Sequence, residues 1–276
     1  MDAVPLTKLD EKIAKFSKNR TVLRTMLAVI RSIFRVISLP GIRDRHSWVH
    51  PEKNMSTVLP INKELKQNGV LVPVPIVSEL INKSSYRMIM NVCGCRQAYD
   101  CKNHSAEIGC LFMGESVRKI LRGLGRPVSR EEAIAHLHRA IDNGLVPAVG
   151  KANVDTFLYQ LPSDGKFVSV CFCCHCCCLG GAFKNLPAEH FNRISPRLEG
   201  LKIEVTDTCT GCGTCVEYCL YEAITIEDGR AVHSEICRGC GRCATYCPAN
   251  AVSISLNNSH FKDDVLSRIS RYGDVS

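Results

Sequence analysis

The stretch CFCCHCCC, residues 171–178, places six thiols in eight positions, and the chain carries 18 cysteines in 276 residues. Thiols at this density pair as disulfides, ligate a metal as thiolates, or hold iron and sulfide for electron transfer. Disulfides need an oxidising compartment. The opening MDAVPLTKLDEKIAKF lacks a basic stretch followed by an apolar run of about 7–15 residues. The expectation is therefore a reducing cytoplasm, where clustered cysteines serve as metal ligands.

The most regular spacing lies near the C-terminus. CTGCGTCVEYC from Cys209 and CRGCGRCATYCP from Cys237 are two copies of C-x2-C-x2-C-x3-C. Gly211, Gly213, Gly239 and Gly241 suit loops that fold tightly and aim amide groups at sulfide. AITIEDGRAVH alternates apolar residues on either side of Asp228-Gly229, a hairpin signal. Residues from about 201 to 256 resemble the bacterial-type 2[4Fe-4S] ferredoxin domain. In that pattern, cysteines every third residue wrap one cluster and the fourth, too far along, ligates the other. The resemblance implies one [4Fe-4S] cluster on Cys209, Cys212, Cys215 and Cys247, and a second on Cys237, Cys240, Cys243 and Cys219. The first copy departs from the family by carrying Leu220 where proline is usual. A pair of zinc knuckles is the rival reading. Tyr218 and Tyr246, beside ligands at matching positions, are expected to be core residues that shield the clusters.

Ten cysteines remain, all in the middle of the chain: Cys93, Cys95, Cys101, Cys110, Cys171, Cys173, Cys174, Cys176, Cys177 and Cys178. RMIMNVCGC and GKFVSVCFC each run a short apolar strand into a Cys-x-Cys, and strand alternation would put each pair on one face. Two such strands side by side offer four convergent sulfurs. Cys101 falls in a loop, and Cys110 at an expected helix start, GCLFMGESVRKILRGLG. Ten thiols exceed one cubane's need, so one or two further iron–sulfur clusters, or zinc, are expected. A single buried cysteine can be a small hydrophobe. Three in a row cannot all be, because adjacent side chains diverge and would be open to oxidation. His104 and His175 lie among these thiols and could ligate zinc or iron. A heterodisulfide-reductase type cysteine-rich domain also uses adjacent cysteines, but the spacing here does not match it and no residue is carried over.

These ligands need a scaffold, and the flanking sequence describes an α+β chain. SREEAIAHLHRAIDNG opens with a capping box at Ser129 and Glu132 and closes at Asn143-Gly144. Ala133, Ile134, Leu137 and Ile141 share one face, which leaves His136 toward solvent, a structural or surface residue like His138. TFLYQLPSDGKFVSV is a hairpin candidate turning at Pro162 and Asp164-Gly165. RTVLRTMLAVIRSIFRVISLPG is an amphipathic helix ended by Pro40-Gly41. It gathers Arg20, Arg24, Arg31 and Arg35 on one side and Val22, Met26, Val29, Ile30, Ile33, Phe34 and Ile37 on the other. That helix covers its own domain's core, lies on a membrane surface, or docks a partner subunit through residues 20–38.

The expected organisation is a basic amphipathic helical segment (1–60), a Cys-rich α/β domain (61–199), a ferredoxin-type domain (200–258) and a tail (259–276). The formal charge of +8 is weak support for a nucleic-acid partner. Each [4Fe-4S]2+ core with four thiolates carries about −2, so two bring the chain to about +4 and four to about zero. Nucleic acid is not expected. No stretch reaches the roughly 18–20 apolar residues of a spanning helix. No phosphate-cradling motif, nucleophile elbow, paired carboxylates, flavin domain or nicotinamide domain is visible.

The expected function is single-electron transfer from the ferredoxin-type clusters to further clusters and a redox partner protein. The setting would be an anaerobe's cytoplasm, peripheral to the membrane if the helix docks there. Two other classes stay open. One is a reductase whose Cys-rich domain holds an open-site or non-cubane cluster, and the other is a zinc-stabilised adaptor with an attached ferredoxin. The sequence discloses no catalytic residue, donor, acceptor or oligomeric state.

Overall fold

The computed structural model describes residues 7–61, 66–67, 70–162 and 164–276. Residues 1–6, the start of the expected N-terminal segment, lie outside it, as do 62–65, 68, 69 and 163. In chain order the first part comprises α1 (Lys8–Ser17), α2 (Arg20–Ile37), β1 (Met55–Val58), and a two-residue ladder of β2 (Lys66–Gln67) with β3 (Val70–Leu71). Then come α3 (Pro73–Lys83), β4 (Arg87–Met90), α4 (Gly94–Tyr99), β5 (Leu111–Met113), β6 (Gly125–Pro127), α5 (Arg130–Asp142), β7 (Val146–Lys151), α6 (Asn153–Leu158), β8 (Val168–Cys173) and α7 (Ala188–Ile194). The last part holds β9 (Leu201–Val205), α8 (Thr214–Glu217), β10 (Ile224–Glu227), β11 (Arg230–His233), α9 (Arg242–Thr245), β12 (Val252–Leu256) and α10 (Phe261–Ser270).

A six-stranded antiparallel sheet, order β1-β7-β8-β5-β4-β6, carries the Cys-rich domain. Helices cover both faces, so its strands are apolar on both sides. Along β8, Val168, Val170 and Phe172 enter the core shared with α3, α5 and α10. The alternate residues Cys171 and Cys173 belong to the opposite cluster, with α2 and Tyr221. The expected pairing of these two cysteines on one face holds.

Cys93 and Cys95 are different. β4 stops at Met90, and Cys93 is the N-cap of α4, so this pair sits on the first turn of a helix and not at a strand end. Cys110 likewise precedes strand β5, and the helix expected there shrinks to a single 3-10 turn, Glu115–Lys119. The hairpin expected in TFLYQLPSDGKFVSV does not form: Asn153–Leu158 is helical and only the second half is a strand. Residues 55–58, inside the segment expected to be helical, instead form β1 and pair with β7 in the main sheet. The expected tail forms α10, whose Phe261, Val265 and Ile269 are buried in the core of the Cys-rich domain.

α2 forms over the predicted span, N-capped by Asn19, whose side chain accepts from Val22 N–H. It buries Leu23, Leu27, Ile30, Phe34 and Ile37 while Met26, Val29 and Val36 stay exposed. The helix thus has two apolar stripes, and the domain takes the one with the larger side chains. Burying Phe34 alone is worth about 1.5–3 kcal/mol. Arg31, expected on an outer arginine face, turns inward: it lies 4.9 Å from the Tyr99 ring centroid and donates to the carbonyls of Cys177 (2.8 Å) and Cys178 (3.3 Å). Among the described residues no helix is long and apolar enough to cross a membrane.

On α5 the Ser129–Glu132 capping box is present, and Gly144 closes the helix at φ +74°. His136 does not face solvent. It is buried, with Nε2 donating to Gly109 O at 2.8 Å and Nδ1 accepting from Arg139 at 2.9 Å. Burial lowers its pKa, so the folded chain keeps it neutral while the unfolded chain protonates it. Its contribution is whole above the ordinary histidine value of ~6.5 and is lost as pH falls below that. His136→Leu is expected to cost about 1–3 kcal/mol by stranding the Gly109 carbonyl. It should also flatten part of the acid-side decline, as thermal melts at about pH 7.5 and about pH 5.5 would show.

Candidate metal centres

The C-terminal unit is built twice over. β9 pairs with β12, and β10 with β11 through a turn at Asp228 (φ +48°) and Gly229 (φ +75°). The short helices α8 and α9 each start behind a glycine in the left-handed region, Gly213 at +78° and Gly241 at +80°. At Gly213 a Cβ would meet nothing within 4 Å, so the backbone angle and not space calls for glycine.

Each half closes on one small apolar cavity. Cys209, Cys212, Cys215 and Cys247 line a tight cavity of about 10 Å3 with Ile226, Ala231 and Val252. Cys219, Cys237, Cys240 and Cys243 line another of about 20 Å3 with Ile203, Tyr221 and Ile224. The structure thus brings the predicted sets together, each taking its fourth cysteine from the other repeat. Equivalent amides address equivalent sulfurs: Ala223 N–H donates to Cys219 Sγ and Ala251 N–H to Cys247 Sγ, both at 3.2 Å. Burial raises the thiol pKa values of Cys219, Cys240 and Cys243, Cys240 to about 12. Bare thiols there would be neutral, and a bound cation must supply the drive to ionise them. Four converging sulfurs in an apolar cavity, with amide donors, fit a four-iron cluster. Leu220, the departure from the family's proline, is buried in the core shared with Ala182 of the Cys-rich domain. Its counterpart Pro248 is exposed. The position has been given over to interdomain packing.

A family profile described as the 4Fe-4S dicluster domain matches residues 208–251. This segment is a ferredoxin-type domain of the kind that binds 4Fe-4S clusters. No curated protein and no solved structure matches the chain.

The other ten cysteines gather where α4, the residues flanking it, the start of β5, the end of β8 and the turn after β8 meet. The Sγ atoms of Cys110 and Cys171 are 3.5 Å apart, and those of Cys173 and Cys178 3.1 Å. Hydrogen bonding from Cys95 is the main cause that brings the Cys93 thiol down to about 6, with Arg96 assisting. The Sγ atoms of Cys101, Cys174, Cys176 and Cys177 form a separate compact group that can hold a metal. His104 and His175 are not in it. His104 Nδ1 is 2.9 Å from the Asn143 side-chain oxygen, and His175 Nδ1 accepts from Arg242 at 3.0 Å.

Three buried arginines went unnoticed in the sequence, Arg96, Arg238 and Arg242. Arg96, 1% exposed, donates to the carbonyls of Phe172 (2.7 Å), Ser105 (2.9 Å) and Ile108. Among the described residues no carboxylate pairs with it. Burial works against its charge, but the thiolates of Cys93, Cys110, Cys174 and Cys178 outweigh that and raise its pKa. Arg242, also 1% exposed, donates to Gly144 O at 2.7 Å and to His175, and lies over the rings of Tyr246 and Tyr218. Those tyrosines stack on each other at 4.2 Å, and Tyr218 meets His175, so they mark the join between the units. The available signal was a cation inside each cysteine motif, CGCR and CGRC, where anionic sulfur must be balanced.

Tyr221 forms a second bridge. It is buried in one continuous cluster with Cys173 and Cys237, against which Cys178 and Cys240 pack. Burial, then the charges of Cys173, Cys178 and Cys240, hold its hydroxyl protonated.

Proposed function

We propose that the chain is an electron-transfer protein passing single electrons between a redox partner protein and further iron–sulfur chemistry in its Cys-rich domain, by way of two [4Fe-4S] clusters. The observation that carries this reading is Tyr221, wedged between the Cys219/Cys237/Cys240/Cys243 cavity and the Cys173–Cys178 thiols. In this reading Cys209, Cys212, Cys215 and Cys247 hold one cluster and Cys219, Cys237, Cys240 and Cys243 the other. Cys93, Cys95, Cys110, Cys171, Cys173 and Cys178 hold the further iron and sulfide. When bound, such clusters accept and release one electron each at potentials set by hydrogen bonds, charge and solvent exposure.

The side chains lay out a line. Exposed Cys212 marks the end open to a partner. Tyr221 excludes water between the second cavity and β8, and Arg242 fixes α9 to Gly144 and His175 so that the separation is constant. Arg96 balances negative sulfur at the buried end. The docking role of residues 20–38 belongs to the same proposal: Met26, Val29 and Val36, next to Arg24 and Arg35, remain exposed to a partner subunit or a membrane surface.

Iron, zinc and acid-labile sulfide should be measured on anaerobically purified chain, with a redox titration followed by electron paramagnetic resonance. The expected result is clearly more than about eight iron and eight sulfide, the content of two cubanes, with further signals beyond the low-potential pair. Iron and sulfide stopping at eight each would confine redox chemistry to residues 201–256 and sink the reading.

One observation favours the reductase alternative. A polar cavity of about 390 Å3 lies beside Cys101, lined by Arg20, Arg96, Lys102, His104 and Asp100, the last ion-paired with Arg20 at 3.3 Å and with Lys102. A small polar substrate would suit it. A spectrum that shifts on adding small anions or thiols would support a substrate site there, and an unmoved spectrum would remove it.

A further inference from the structure

The ten cysteines of the Cys-rich domain divide by distance into a tight set and a looser one. The ligand atoms of Cys101, Cys174, Cys176 and Cys177 all lie within 4.8 Å of one another, with Cys101–Cys176 at 3.5 Å and Cys176–Cys177 at 3.4 Å. Among the described residues no other group of three or more Cys, His, Asp or Glu is drawn so close, the dicluster cysteines included. That contrast speaks to how many metal atoms each set holds. Four thiolates on one tetrahedral ion at ~2.3 Å lie about 3.8 Å from one another. In a cubane each sulfur binds a different iron, and the cluster itself keeps the ligand sulfurs further apart.

We propose that Cys101, Cys174, Cys176 and Cys177 bind a single divalent ion, Zn2+ or Fe2+, in a closed tetrahedral thiolate site distinct from every iron–sulfur cluster in the chain.

The local backbone is shaped for it. Asp100, the C-cap of α4, takes the left-handed conformation at φ +49° and turns the chain so that Cys101 meets the segment after β8. Arg31 reaches from α2 to the carbonyls of Cys177 and Cys178 and holds that segment in a curl, which lets neighbouring residues aim their sulfurs at one point. Neither nearby imidazole places a ring nitrogen within the group, which leaves four thiolates as the donor set. All-thiolate tetrahedral coordination suits zinc and ferrous iron above other common divalent ions. Cys174 and Cys177 are buried and Cys176 is exposed, so the ion has an entry side. Once bound, it ties the loop after α4 to the turn after β8, the two segments that wall the six remaining thiols. The assignment does not depend on what those six hold.

The test compares the full-length chain with Cys176→Ala, both purified anaerobically, for zinc, iron and sulfide. Loss of one zinc with sulfide unchanged supports the site and names its ion. Loss of one iron with sulfide unchanged supports it with ferrous iron as the ion. Loss of sulfide together with metal, or of no metal, overturns it. Should the variant also lose the dicluster resonances, the readout moves to wild-type chain produced with Co2+. The intense visible bands of a tetrahedral cobalt tetrathiolate then support the site, and their absence overturns it.

Discussion

Arg96→Met is expected to destabilise the folded chain by about 3–5 kcal/mol, the range for removing one side of a buried charge pair, and to strip iron and sulfide from the Cys-rich domain. The guanidinium is 1% exposed and has no carboxylate partner among the described residues. Its hydrogen bonds go to three backbone carbonyls. A buried cation in that position is stable only if negative charge balances it, and the sulfurs of Cys93 and Cys178, whose thiol pKa values are lowered, are in range. Methionine fills a similar volume, which separates lost charge from lost packing. Arg96→Lys keeps the charge without the planar fork, so it should fall between. Anaerobic urea melts and metal analysis measure both effects, with the dicluster resonances as control. A variant within about 1 kcal/mol of wild type and holding all its iron would show that the thiols at this centre are neutral.

The second large effect is selective. Cys240→Ser is expected to remove about four iron and four sulfide and one of the two low-potential resonances, leaving the other in place. Cys240 shares its cavity with Cys219, Cys237 and Cys243, while Cys209, Cys212, Cys215 and Cys247 line a separate one. The Cys240 carbonyl also accepts from Ile61 N–H at 3.1 Å, so the loop is anchored to the Cys-rich domain independently of its sulfur. Iron counts and resonance spectra of the reduced variant decide it. Survival of both resonances unchanged would break the ligand assignment.

What could be seen in the sequence was local. The doubled cysteine spacing, the Asp228-Gly229 turn, the Ser129–Glu132 capping box and the span of α2 each depend on residues a few positions apart, and each is present. Cys93-Gly94-Cys95 shows where that stops. Three residues carry no periodicity that separates a strand end from a first helical turn, and the choice was made by β4 ending at Met90. His136 failed for a related reason: the helix face it shares is buried by Phe172 of β8 and the loop carrying Gly109, which pattern on α5 cannot reveal. The division of ten thiols into four and six lay further out of reach. It requires Cys101 to meet Cys176, 75 positions away, and Cys110 to meet Cys171, 61 positions away. Non-local partners also define Arg242, whose bonds to Gly144 and His175 span 98 and 67 positions.

The return of α10 to the Cys-rich core has a further consequence. The chain leaves that domain at Leu201 and comes back at Leu256, two residues paired face to face in the β9–β12 ladder. The dicluster unit is therefore an insertion, held by two adjacent strands instead of one flexible tether. In the electron-transfer reading proposed above, the partner would come to the unit instead of the unit swinging out to it, with the gap to the buried thiols set by the paired strands. Biogenesis follows the same topology. The host domain lacks Phe261, Val265 and Ile269 until the ribosome has finished the dicluster segment. The eight cysteines of the insertion are thus available for cluster loading before the domain that carries them can close its own core.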